Sequence, residues 1–204
     1  MKPTKPEHFI GKTGQIARVL FGAIPKLQSE PHLDARSRCY LFTGPPGTGK
    51  SSLAELFALA LAGSKFAVEQ VNGQSCTVDK VRAWSQQGGY IPLYGKVVVQ
   101  LVDEIDAASL AACNELRTYL DKLPPHTVFI ATTNKPVAEL QEQLQSRFKV
   151  HYFERVPAEQ ISAWLADKFE MPAHQANRIA AGCKGNVRAA ECDALAIQEV
   201  EALA

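Results

Sequence analysis

The chain has 204 residues, of which 46% are hydrophobic and 21% charged, and its formal net charge is +1. This length holds one domain, or one domain with a small second unit, and the composition excludes both a disordered chain and a strongly cationic nucleic-acid binder. No apolar run reaches the roughly 18 residues of a membrane span, and the N-terminal MKPTKPEHFIGK lacks the apolar stretch of a secretory signal, so a cytoplasmic protein with no membrane contact is expected.

Along the chain, Ile16, Val19, Leu20 and Ile24 recur at helical spacing, which predicts a first helix over 13–24 that Pro25 ends. Residues 28–37 are polar, contain a proline and read as a loop. Short β-rich runs then alternate with amphipathic segments. The runs are 38–43, 66–71, 97–102, 127–132 and 149–153, with helices predicted at 51–62, 77–87, 107–121 and 136–144. This alternation predicts right-handed crossovers, and hence an α/β core with a five-stranded parallel sheet covered on both faces. Gln100 interrupts the third run and is expected to find a local partner. Beyond Pro157 there is no strand signal, and helices are predicted over 158–169, 172–182 and 186–203. The expected organisation is an α/β core over 1–156 and a small all-helical lid over 157–204.

Charge is graded along this layout: net +4 over 1–40, zero over 41–156 and −3 over 157–204. The gradient reads first as solvated surface. Cys39, Cys76, Cys113, Cys183 and Cys192 are odd in number and form no C-x-x-C, and the five histidines show no ligand spacing. A zinc site or disulfide framework is therefore not expected, and most of the cysteines read as small core residues.

Three segments carry chemistry. Residues 44–51, Gly-Pro-Pro-Gly-Thr-Gly-Lys-Ser, fit G-x-x-x-x-G-K-[ST] between a β-run and a helix. Glycines let such a loop wind its N–H groups around a phosphate, and the helix N-terminus adds positive potential. Lys50 would reach the β- and γ-phosphates and Ser51 would hold Mg²⁺. Residues 97–104, VVVQLVDE, are an apolar strand ending in two acids. There Asp103 can orient Mg²⁺ through water and Glu104 can polarise the attacking water. Asp106 reads as a helix N-cap. Residues 133–137, TNKPV, have Val137 where a guanine-reading loop needs a carboxylate, so ATP is favoured. Asn134 is placed at the end of the strand beside the one bearing Asp103, within reach of γ-phosphate or water.

Taken in order, these motifs resemble those of AAA+ ATPases, and the resemblance covers nearly the whole chain. Phe9-Ile10-Gly11 is similar to the N-terminal box that packs on adenine. Gly44–Ser51 matches Walker A, Asp103-Glu104 Walker B and Asn134 sensor 1. Gln145-Ser146-Arg147-Phe148 resembles the arginine-finger box, and Gly185-Asn186-Val187-Arg188 resembles sensor 2. The resemblance implies a nucleotide-binding set of Ile10, Gly11, Gly44, Pro45, Pro46, Gly47, Thr48, Gly49, Lys50, Ser51, Ser52 and Asp103. It implies a catalytic set of Glu104, Asn134, Arg147 and Arg188, with Ser51 and Asp103 at Mg²⁺. Arg147 would act in trans on a neighbour's ATP, where its planar fork and permanent charge suit transition-state stabilisation. Arg188 would link the lid to the γ-phosphate.

Within that family the pattern is most similar to clamp loaders, above all the small subunits of replication factor C. The similar segments are LQSRF at 144–148, GNVR at 185–188, NGQS at 72–75 and VDKVR at 78–82. The implied function is an ATP-hydrolysing subunit of a homo- or hetero-oligomer, a ring or partial ring, with a sliding clamp, primed DNA and a second loader subunit as partners. Thr77, Lys80, Arg82 and Ser109 start helices that line the DNA channel in similar proteins. Clamp loader subunits carry a helical collar after the lid, so a clamp-loading ring of this chain would be held by core–lid contacts, by nucleotide and DNA, or by a second protein that supplies a collar. The alternatives are a helicase loader or branch-migration-type motor, a non-catalytic ATP-binding assembly subunit, and, ranked last, a small-molecule P-loop kinase.

Overall fold

Five strands, β1 (Cys39–Thr43), β2 (Val68–Asn72), β3 (Val98–Asp103), β4 (Thr127–Thr133) and β5 (Lys149–Tyr152), form one parallel sheet in the order β2-β3-β4-β1-β5. The computed structural model describes residues 3–30, 32–87 and 92–202. Helices α1 (Gly11–Ser29), α2 (Lys50–Ala62), α3 (Val78–Gln87), α4 (Leu110–Asp121) and the single-turn α5 (Glu142–Gln145) belong to the α/β part. Helices α6 (Ala158–Phe169), α7 (Ala173–Gly182) and α8 (Val187–Ala202) follow.

The central strands β1 and β4 are buried along their whole length, as a parallel sheet covered on both faces requires. Successive side chains point to opposite faces. Tyr40, Phe42, Val128 and Ile130 pack with α1 and α2, whereas Cys39, Leu41, Phe129 and Ala131 pack with α3 and α4. Gln100 is buried in β3, where its Oε1 accepts the Tyr119 hydroxyl at 2.7 Å. The last three helices bury an apolar cluster of their own, including Ile161, Leu165, Ile179 and Ala190, and Val156 and Ile10 join it. Four of the five cysteines are buried and Cys192 is exposed. Burial pushes the Cys39 and Cys76 thiols up to about 12, which keeps them protonated and unreactive. No described helix is long and apolar enough to cross a membrane.

The structure corrects several boundaries. Helix α1 begins at Gly11 and runs through Pro25 to Ser29. Pro25 removes one intrahelical bond, but the turn beyond it is held by buried Leu27 and by Gln28, whose Nε2 donates to the Leu61 carbonyl at 2.8 Å. Residues 136–144 do not form one helix: a 3-10 turn at Val137–Glu139 precedes α5. Helix α4 starts only at Leu110, and its cap is Ser109, whose hydroxyl accepts the Ala112 N–H at 3.2 Å. Asp106 is no cap. It lies in a 3-10 turn and accepts the Thr133 hydroxyl at 2.7 Å.

Arg38 does not start β1 but ends a 3-10 turn, and it is buried. Its guanidinium donates to the carbonyls of Leu33, Leu123, Pro124 and Thr127. Burial lowers its pKa, yet the fan of carbonyls keeps the charge solvated by the fold. Arg38→Met leaves those carbonyls unpaired, so a loss of about 3 kcal/mol is expected, read as a lower urea midpoint at unchanged slope.

Candidate active site

The strand order sets β1, β4 and β3 side by side and parallel, so their C-terminal ends meet at one edge of the sheet. Each end delivers one segment. From β1 the chain turns through 44–49 into α2, with Gly49 left-handed at φ 92° before the first helical turn. That turn aims its free N–H groups and the positive end of the helix out of the sheet. The Lys50 ammonium donates to the carbonyls of Gly44 and Pro45, each at 2.8 Å. Burial pulls its pKa down to about 8; Asp103 works in the opposite direction and Arg188 adds to the fall.

Asp103 ends β3, and its Oδ1 accepts the Ser51 hydroxyl at 2.9 Å and the Thr132 hydroxyl from β4. Glu104 follows in a left-handed conformation at φ 55°, which turns its side chain out of the strand. Its N–H donates to the Thr132 hydroxyl at 3.1 Å. Asn134, exposed, is the first residue beyond β4.

Lys50, Ser51, Glu104 and Asn134 border a cavity of about 460 Å³ between the loop and helices α6 and α8. Phe9, Ile10 and Thr13 form one wall, and Trp164 and Lys168 of α6 with Arg188 of α8 form the other. Lys168 stands 4.7 Å from the Trp164 ring centroid and bonds Glu191 at 2.7 Å. The helical part touches the loop itself: the Val187 N–H donates to the Gly47 carbonyl at 3.1 Å. A Cβ on Gly47 would lie 1.8 Å from Asn186 Oδ1, and its φ is +77°, so only glycine fits there. Gly44 is similarly bound, since a Cβ would lie 2.2 Å from the Phe153 carbonyl oxygen.

Of the residues singled out in the sequence, Ile10, Pro46, Gly47, Thr48, Gly49, Lys50, Ser51, Ser52, Glu104, Asn134 and Arg188 line this cavity. Gly44 and Pro45 serve it through carbonyls that hold Lys50, and Asp103 stands behind Ser51. Gly11 lies apart, beside Val156 and Gln160. Arg147 is also apart: Nε and Nη2 bond the two Asp121 carboxylate oxygens at 2.9 and 3.0 Å, and Nη1 donates to the Gln143 carbonyl at 2.6 Å. Lys80 pairs with Glu69, and Arg82 with Glu115 at 3.5 Å, so both cations are already matched by carboxylates. Sequence reasoning did not find Thr132, Trp164 or Lys168. Trp164 fits the apolar stripe of its helix, and only the fold shows that it also faces the cavity.

The model described as "ATPase family associated with various cellular activities (AAA)" matches residues 40–156, from β1 to the end of the α/β part. The chain belongs to the AAA ATPases. The matched stretch holds the phosphate loop, Asp103, Glu104, Asn134 and Arg147 of this AAA chain. DNA polymerase III subunit tau of Bacillus subtilis (strain 168) is 26% identical over 179 residues, 74% of this chain and 32% of the relative. Probable replication factor C subunit 2 of Dictyostelium discoideum is 29% identical over 134 residues, 62% of this chain and 39% of the relative. The AAA chain thus spans about a third of the length of the curated relatives it matches. Among solved structures, the Thermotoga maritima RuvB Holliday junction branch migration motor superposes with a TM-score of 0.73 at 21% identity, over 97% of this chain and 65% of that one. That likeness is one of fold.

Proposed function

We propose that this AAA chain hydrolyses ATP with Mg²⁺ as a member of an oligomer, and that its task is clamp-loader-like work in DNA replication. The observation that carries the reading is the convergence of Lys50, Ser51, Glu104, Asn134 and Arg188 on one cavity that α6 and α8 border on the far side. Residues 1–156 act as the nucleotide-binding core and 157–204 as its lid. Ser51 and Asp103 offer a hydroxyl and a carboxylate, an oxygen-only set suited to a hard cation. Bound there, Mg²⁺ supplies neutralisation of phosphate charge. Lys50 leaves its carbonyls for the β- and γ-phosphates. Glu104 accepts a proton from the attacking water, Asn134 orients that water against the γ-phosphate, and Arg188 carries the phosphate state into the lid. Arg147 completes a neighbour's site. The relatedness to a polymerase III tau subunit and a replication factor C subunit supports the clamp-loading assignment over helicase loading.

The test is the ATPase rate per protomer against protein concentration, followed by retention of a sliding clamp with a non-hydrolysable ATP analogue and primed DNA. A rate that rises on assembly and a clamp retained only with nucleotide are expected. Equal hydrolysis by a dilute monomer overturns the trans site, and stimulation by a replicative helicase without clamp binding transfers the chain to the alternative role.

Lys50 gives this reading a pH signature. Free, it is about half protonated near pH 8. Phosphate anions favour the ammonium, so binding raises its pKa and takes up a proton. Uptake of about half a proton is expected at pH 8, and affinity falls above that pH by up to about tenfold per unit. Titration calorimetry in two buffers of different ionisation enthalpy measures both.

A further inference from the structure

The Asn134 turn is bonded on every side, and its partners are residues that no motif assigns. On its N-terminal side, Thr133 is fully buried at the end of β4 and donates its hydroxyl to Asp106 Oδ1 at 2.7 Å. The same hydroxyl accepts the Lys135 N–H at 3.0 Å, closing the turn around Asn134. On the C-terminal side, Lys135 Nζ stands 3.8 Å from Asp106 Oδ2, and the Lys135 carbonyl accepts the Thr43 hydroxyl at 2.7 Å. Thr43 is the residue before Gly44, so the chain of bonds reaches the phosphate loop. Asp106 follows Glu104 by two positions in the same turn, and its side chain is only 18% exposed.

The geometry points to Asp106 and Thr133 as positioning residues for hydrolysis, fixing Asn134 relative to Glu104. Neither lines the cavity, so both act through Asn134 and Glu104. Their bond ties the turn after β3 to the turn after β4. Thr132 repeats the device one residue earlier, holding the Asp103 carboxylate and the Glu104 N–H. Adjacent strand residues point to opposite faces, so the two threonines grip the β3 turn from both sides. Without the Asp106 grip, Asn134 and Glu104 shift independently, and a displacement near 1 Å at such groups costs on the order of a hundredfold in rate.

This inference rests on the reading that Glu104 and Asn134 act at the γ-phosphate, and the experiment separates the two. Thr133→Val keeps the shape of the buried side chain and removes the hydroxyl; Asp106→Ala removes the acceptor; Thr133→Ser restores the hydroxyl. Turnover is measured at saturating ATP, affinity with a fluorescent ATP analogue, and hydrogen exchange over 133–136 by mass spectrometry. For Thr133→Val and Asp106→Ala, kcat is expected to fall about ten- to hundredfold, with analogue affinity unchanged and the Lys135 amide exchanging faster. Thr133→Ser is expected to restore both. Unchanged exchange at Lys135, or a fall in kcat matched by an equal loss of affinity, overturns the inference. Wild-type turnover in Asn134→Ala overturns the reading beneath it instead.

Discussion

Glu104→Gln halts turnover while leaving ATP bound: hydrolysis is expected to fall by about 10²–10⁴-fold. The substitution is nearly isosteric, and no side-chain bond of Glu104 holds the fold. What fixes the left-handed turn is the backbone N–H to Thr132 and the bond from the same hydroxyl to Asp103, and both survive the change. The variant loses only a carboxylate facing the cavity. Affinity for ATP is therefore expected to stay near wild type, which separates lost chemistry from lost binding. Single-turnover hydrolysis with equilibrium binding of the same nucleotide provides the check. Wild-type turnover in Glu104→Gln would place water activation elsewhere in the cavity. Loss of binding and hydrolysis together would mean that the variant had disturbed the Asp103–Ser51 pair.

How much of this site could be read from the chain depends on the range of the interaction. The phosphate loop was legible because its chemistry is local: glycines for the turn, a lysine and a serine at the start of a helix, a β-run before it. Asp103-Glu104 and Asn134 were legible because each ends an apolar strand, and the parallel sheet then sets those ends at one edge. Arg38 was not legible, since only its Leu33 partner is near in sequence and the carbonyls of Leu123, Pro124 and Thr127 lie more than 80 residues away. The true partner of Asp106 was hidden for the same reason: an acid before a helical pattern reads as a cap, and only strand pairing brings Thr133 to it. The course of α1 through Pro25 likewise depends on carbonyls of α2 that sequence does not place beside it. The last three helices were legible from their periodicity, but their seating on Gly47 through Val187 and Asn186 was not.

Arg147→Ala is expected to lower the rate per protomer by about 10³–10⁵-fold under conditions where the wild type is assembled. In the single protomer Arg147 is not free. Asp121 holds it by two bonds and the Gln143 carbonyl by a third. That hold is weak, because Asp121 is half exposed and the arginine about a quarter exposed; pairs at surfaces contribute about 0–1 kcal/mol. The transition-state stabilisation expected of a finger corresponds to about 4–7 kcal/mol. If Arg147 is such a finger, a neighbour's γ-phosphate is expected to outcompete Asp121. Arg147→Lys is not expected to rescue the loss, since a point charge lacks the planar fork. Mixing decides between action in trans and in cis. Arg147→Ala keeps Glu104, and Glu104→Gln keeps Arg147, so a mixed oligomer regains interfaces with one intact copy of each. Partial recovery of ATPase activity on mixing two inactive variants is the expected result. A mixture as inactive as its parts, or an Arg147→Ala variant as active as wild type, would confine this arginine to its bonds with Asp121.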